Sequence, residues 1–413
     1  MNILFLSGKF VQFGVGLVLA GVIAACGGGG GTDAGTAALA GNAVAVTVSG
    51  GLKNQSANLL LTTVTVCLPG LSACKTIDNV QVDTGSTGLR LASSALAGLD
   101  LQRVDGGIAG TSVLECAAFG SGFLWGAIAR ADVKIGQELA NNVPLQLYQD
   151  GAGQAAPASC QSFGADLGAM GRLPLNGVLG VGSALQDCGA YCTSVSSNGR
   201  YFQCSNAGGC VGTTLPLASQ TANPVASFPR DNNGVVIDLP SVPSAGAGQL
   251  IGQMVFGINT QPNNTLPADA SLVPIAKTGL HAGRLNASLN GTVYPDSTID
   301  SGSSANVFND ASLPLCAGSV LMAHLYCPGD GKSAAVQVRE IVLGGTIAVM
   351  VPVANASYLF AQPAAVFGNL AGPGLGSQPT AIHLGLPFFL GRRVYTGFDS
   401  NANPNGPYIA FKS

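Results

Sequence analysis

Apolar residues along this chain recur in short runs broken by Gly, Pro and Asn, with little of the three-to-four spacing of an amphipathic helix. The runs include "AVAVTVSG", "NLLLTTVTVCL", "AIARADVKIG", "GVVIDLP", "QLIGQMVFGIN", "VQVREIVLGG", "TIAVMVPV" and "GPYIAFK". Each is short enough for one strand. The pattern predicts an all-β chain, with short helices near "ASSALAGL" and "NDASLPLCAG".

A second pattern has a longer period. The stretch Val82 to Leu91 reads "VDTGSTGLRL", and Ile299 to Phe308 reads "IDSGSSANVF". Each follows a predicted strand, and each is followed much later by two apolar residues and a Gly, in "NGVLGVG" and in "AIHLGLPFF". Either turn alone is common Asp-Ser-Gly chemistry. Twice, in the same order, they predict two halves that meet near the Gly- and Pro-rich region from Pro240 to Gly252. If the halves bring Asp83 and Asp300 together, the two carboxyl groups cannot both ionise cheaply. The pair would hold one proton and act on a shared water as base and acid. Gly85 and Gly302 would permit tight turns. Thr84 and Ser301 could brace one turn against the other, and Ser86 and Ser303 could donate to the carboxylates.

Composition narrows the class. The 413 residues are 47% hydrophobic and only 9% charged, with a net charge of −3. Ordinary soluble domains carry about a quarter charged residues, so Gly, Ser, Thr and Asn must supply much of this surface, as suits an exported β protein. Nothing in the charge suggests nucleic acid as a partner. Setting Cys26 aside, ten cysteines remain: an even number, read as up to five disulfides. Cys67 with Cys74, and Cys316 with Cys327, are plausible local pairs. Cys188, Cys192, Cys204 and Cys210 could by count hold zinc, but their spacing lacks the usual close pairs, and disulfides are expected instead. No metal and no cofactor are expected.

The N-terminus reads as a targeting segment. A short n-region with Lys9 precedes an apolar run from Phe10 to Ala25, too short and too Gly/Ala-rich for a comfortable membrane span. The run ends in Ile23-Ala24-Ala25-Cys26, which resembles the lipobox of bacterial lipoproteins. That resemblance implies lipidation of Cys26 and an anchor in the cell envelope, with Gly27 favouring the outer membrane. The expected organisation is a signal peptide over 1–25, a lipid-anchored tether over 26–40, an N-terminal lobe over 41–244 and a C-terminal lobe over 245–413.

Taken together, "VDTGSTGL", "IDSGSS", "NGVLGVG", "HLGLPFF", "QLIGQMVFGINTQ" and the terminal "GRRVYTGFDSNANPNGPYIAFKS" resemble pepsin-like, bilobal aspartic peptidases, over about residues 40 to 413. The chain also resembles an uncharacterised family of proteobacterial lipoproteins. The peptidase resemblance implies two β-barrel-like lobes with a cleft between them and Asp83 and Asp300 as the catalytic dyad. It implies an extended peptide or protein as substrate and a monomeric enzyme. It also implies a flap at Phe119, Gly120, Ser121 and Gly122, where the family has Tyr-Gly-Thr-Gly. Phe119 keeps the ring but lacks the hydroxyl, and Arg90 stands where the family usually has Trp. Arg90 could lower the pKa values of the dyad, or point outward and matter only for packing; both readings stay open here. Trp125 is expected to pack under the flap, and His383 to serve as a structural partner. His281, His324 and His383 show no metal-ligand spacing. The alternative function is a non-catalytic peptide-binding lipoprotein that uses the same cleft.

Overall fold

The computed structural model describes residues 39–105, 107, 110–150, 153–169, 173–205, 208–277, 283–319, 322–339, 345–373 and 381–412. The signal segment, Cys26, the start of the tether and His281 lie outside the described residues.

The described residues form an all-β protein, as the apolar pattern predicts, in two barrel-like lobes with a cleft between them. A 16-stranded sheet builds the first lobe and runs on beneath both. Within the first lobe, Gly122–Ile135 pairs with Thr111–Phe119 and Glu138–Tyr148, and its far end returns to pair with Leu59–Cys67. That return closes the sheet on itself. The same sheet continues from Ala43–Ser49 through Leu250–Phe256, Gly234–Asp238, Arg393–Gly397 and Tyr408–Phe411 to Ser271–Pro274. The first strand of the chain and two of the last therefore share one platform. A 7-stranded sheet builds the second lobe, from Thr346–Val353 and Lys332–Arg339 to Thr292–Ile299 and three two-residue strands.

Burial along the strands follows their place in these layers. Lys332–Arg339 and Thr346–Val353 alternate buried and exposed positions, the sign of a sheet with one wet face. The end of Cys74–Asp83 differs: Val80, Gln81, Val82 and Asp83 are all buried. Gly177–Val181 is buried throughout as well. Strands covered on both faces read as unbroken apolar runs, and here those runs lead straight into the turn that carries Asp83. Val82, Leu89 and Leu179 are each wholly buried, and each contributes roughly 1.5–3 kcal/mol of hydrophobic stabilisation. The first turn is thus held by packing.

All ten cysteines outside Cys26 are bonded, as Cys67–Cys74, Cys116–Cys160, Cys188–Cys192, Cys204–Cys210 and Cys316–Cys327. The four-cysteine cluster is therefore two short-range disulfides. The helix expectations fare unevenly. "ASSALAGL" contains a 3-10 turn at Ser93–Leu96, but "NDASLPLCAG" forms turns and an isolated bridge between Leu315 and Tyr326. Short α-helices form instead at Ala158–Gln161, Tyr191–Ser194, Ala356–Phe360 and Leu386–Phe389. One turn of helix is too short to leave a periodic signature.

Candidate active site

The two Asp-Thr/Ser-Gly turns face each other across the cleft with nearly identical local bonding. In the first, the Gly85 N–H donates to Asp83 Oδ1 at 2.8 Å and the Ser86 hydroxyl to Asp83 Oδ2 at 2.6 Å. In the second, the Gly302 N–H donates to Asp300 Oδ1 at 2.7 Å and the Ser303 hydroxyl to Asp300 Oδ2 at 2.8 Å. Both carboxyl groups are 7% exposed and hydrogen-bond each other.

The glycines are required for a different reason than turn conformation. Neither Gly85 nor Gly302 has a positive φ. A Cβ at Gly85 would stand 2.4 Å from Asp300 Cγ. One at Gly302 would stand 2.4 Å from Asp83 Oδ1 and 3.1 Å from Asp300 Oδ1. Each glycine vacates the space that the opposite carboxyl group occupies.

The residues between aspartate and glycine lock the turns together. The Thr84 N–H donates to Ser301 Oγ at 3.1 Å, and the Ser301 N–H to Thr84 Oγ1 at 3.0 Å. The Ser301 hydroxyl then donates to Val82 O at 2.9 Å, and the Thr84 hydroxyl to Ile299 O at 3.3 Å. Gln81 adds a bond from its amide to Gly302 O at 3.1 Å. The apolar–Gly segments support the turns from behind. Gly177–Val181 runs parallel to Cys74–Asp83 with Asp83 beside Gly180, and His383–Leu384 runs parallel to Thr292–Ile299. Gly182 N–H bonds Ser86 O at 2.8 Å, and Leu386 N–H bonds Ser303 O at 2.7 Å.

Electrostatics separates two geometrically similar acids. Burial, then the charge of Asp300 and the hydrogen bond to it, raise Asp83 from 3.8 to about 7, against the opposing bonds from Ser86 and Gly85. Burial acts on Asp300 in the same direction, and hydrogen bonds from Asp83, Ser303 and Gly302 oppose it. The pair keeps one proton, and that proton belongs to the pair.

The cleft around the dyad is a cavity of about 330 Å³, lined also by Ala118, Phe119, Gly120, Thr298, His383, Arg200 and Arg284. The expected flap is a hairpin: Thr111–Phe119 and Gly122–Ile135 pair with Phe119 opposite Gly122. Phe119 and Gly120 reach the cleft, while Ser121 and Gly122 do not line it. Gly122 backs against Ala165 O, where a Cβ would stand at 2.1 Å. Trp125 belongs to the second strand of the hairpin, opposite Cys116, edge-on to Phe202 at 5.6 Å, with its indole N–H on Gln154 O. His383 bonds Thr298 Oγ1 through Nδ1 at 2.8 Å, and burial lowers its pKa to about 4, so it is neutral at pH 7.

Arg90 follows neither of its two expected readings. It is buried, 2.7 Å from Glu115 and 3.4 Å from Asp187, and also bonds Thr87 O. Glu115 and Asp187 hydrogen-bond each other, Tyr201 donates its hydroxyl to Asp187, and Thr221 donates its own to Glu115 at 2.6 Å. The guanidinium lies 5.8 Å from the centre of the Phe119 ring. This network gave no sign in the sequence, nor did Arg200 and Arg284. Its members sit in unrelated turns and strands that only the closed sheet brings together.

No curated protein matches the chain in sequence. Among solved structures, the crystal structure of an aspartic proteinase from Irpex lacteus is similar with a TM-score of 0.48 and 14% identity, covering 90% of this chain and 96% of that one. A family model described as "Protein of unknown function (DUF3443)" matches residues 38–411, and the chain belongs to that family.

Proposed function

We propose that the protein is an aspartic-type endopeptidase that cleaves peptide bonds with water activated by Asp83 and Asp300. The observation that carries this reading is the pair itself: two buried, hydrogen-bonded carboxyl groups at the base of a cleft, holding one proton between them. The ionised member takes a proton from a water bound between the two. The protonated member hydrogen-bonds the scissile carbonyl and gives up its proton as the oxygen gains charge. The resulting tetrahedral diol collapses when the leaving nitrogen is protonated, and the pair is again singly protonated. No covalent intermediate on the chain is required. Phe119 and Gly120 would cover an extended peptide from above and limit the entry of water.

The sequence further supports a signal peptide and lipidation at Cys26. The proposal therefore places a monomer on a lipid anchor in the bacterial envelope, at the outer membrane, acting on extended peptides or unfolded proteins. The test is digestion of a mixed unfolded-protein pool by the full chain beside Asp83→Asn and Asp300→Asn. Each substitution is expected to lower cleavage about a thousandfold, within the range contributed by a positioned acid or base. Cleavage that survives both substitutions would overturn the mechanism.

A further inference from the structure

Two cations line the same cleft as the dyad without entering the chemistry above. Arg200 comes from the first lobe and Arg284 from the second. Their backbones are fixed. The Arg200 carbonyl accepts the Cys116 N–H of the flap strand at 2.7 Å, and the Arg284 carbonyl accepts the Ala276 N–H at 2.8 Å. Their guanidinium groups are not: among the described residues, neither has a hydrogen-bond or ion-pair partner. Other arginines of this lightly charged chain do. Arg90 pairs with Glu115, Arg103 with Asp150 and Arg393 with Asp238. Apart from the dyad, no carboxylate among the described residues lines the cleft. Two unpaired positive charges over a low-dielectric recess attract anions, and the planar guanidinium fork fits a carboxylate in two-point fashion.

We propose that the cleft selects peptide segments bearing a carboxylate close to the bond presented to the dyad, with Arg200 and Arg284 as the carboxylate-binding residues, one from each lobe. The carboxylate is an Asp or Glu side chain or the C-terminus of a short peptide. The inference rests on the reading of the cleft as a peptide site. It is independent of whether that peptide is cleaved.

Binding therefore makes the better test. Three fluorescent decapeptides of one sequence would be titrated against the full chain carrying Asp300→Asn. One has Glu at the central positions and an amidated C-terminus, one has Gln there and a free C-terminus, and one has Gln and an amidated C-terminus. At least one carboxylate-bearing peptide is expected to bind about tenfold more tightly than the neutral one, the effect of one charge-assisted hydrogen bond. Which of them does so tells side chain from terminus. Adding Arg200→Gln or Arg284→Gln is expected to reduce that preference, the two together to abolish it, and Arg→Lys to restore part of it. Binding of the carboxylate-bearing peptide should fall more than binding of the neutral one. Arg284 is exposed and Arg200 half-buried, so the unfolding midpoint of each variant should match that of its parent. Equal binding of all three peptides, binding of none, or a preference that survives the double substitution would overturn the inference. A chain that cleaves without regard to carboxylates keeps the peptidase reading and loses this one. A chain that binds acidic peptides and cleaves nothing does the reverse.

Discussion

Among the described residues, two pairs of carboxyl groups touch, and they are resolved differently. Asp83 and Asp300 meet at the floor of a cleft with hydroxyls and backbone N–H groups around them. Their repulsion is relieved by a proton. Glu115 and Asp187 meet in the interior with Arg90 against both. There the guanidinium relieves much of the repulsion and holds Glu115 below its usual range, while burial and the charge of Glu115 keep Asp187 well above its own. Proximity of two acids is therefore not what marks a reactive site. The pair proposed to react opens to a cavity. The structural pair is closed in, with a guanidinium against both acids.

Three experiments would sharpen or break this contrast. The largest effect is the thousandfold loss of cleavage expected from Asp83→Asn or Asp300→Asn, which Glu115→Gln should not reproduce in a sample that remains folded. Next, Arg90→Ala leaves two acids buried without their cation. It should destabilise the protein by about 3–5 kcal/mol, as removal of one partner from a buried ion pair does, measured by urea unfolding with the disulfides intact. A cost below about 1 kcal/mol, the level of an exposed pair, would mean that Arg90 does not stabilise the two buried acids.

The third effect concerns stability against pH. Asp83 in the folded state titrates near 7 instead of 3.8, so the native protein binds more protons than the unfolded chain between those values. Its contribution to stability is fully present below 3.8, declines as pH rises and is lost above about 7. Asp83→Asn removes that dependence. At pH 8 it is expected to raise stability by roughly 2–4 kcal/mol, bounded above by the conversion of the pKa displacement into free energy. A variant that is less stable than wild type at pH 8 would contradict the shared-proton assignment.

How much of this was legible beforehand follows from which contacts are local. The all-β architecture was legible because strand-length apolar runs carry their own signal. The dyad was legible because the same five-residue chemistry occurs twice, and the Thr84–Ser301 exchange is a bond between like positions of the two copies. The role of Gly85 and Gly302 was misread, since a turn signature does not tell whether a missing Cβ serves conformation or the space of a partner far along the chain. Arg90 was seen as unusual, but its partners Glu115 and Asp187 are joined to it only by the closure of the first lobe. The one-turn helices and the cleft arginines left no pattern, because a single polar residue before a strand looks the same whether it faces solvent or substrate.

The central claim is that one proton shared by Asp83 and Asp300 drives hydrolysis. Its most direct test is kcat/KM against pH, from 3 to 9, on a peptide that the full chain cleaves. The account predicts a bell whose alkaline limb falls near pH 7, where the pair loses its proton, and no measurable profile in either Asp→Asn variant. A rate that stays level through pH 7 and up to 9, or one that persists in Asp300→Asn, would contradict it.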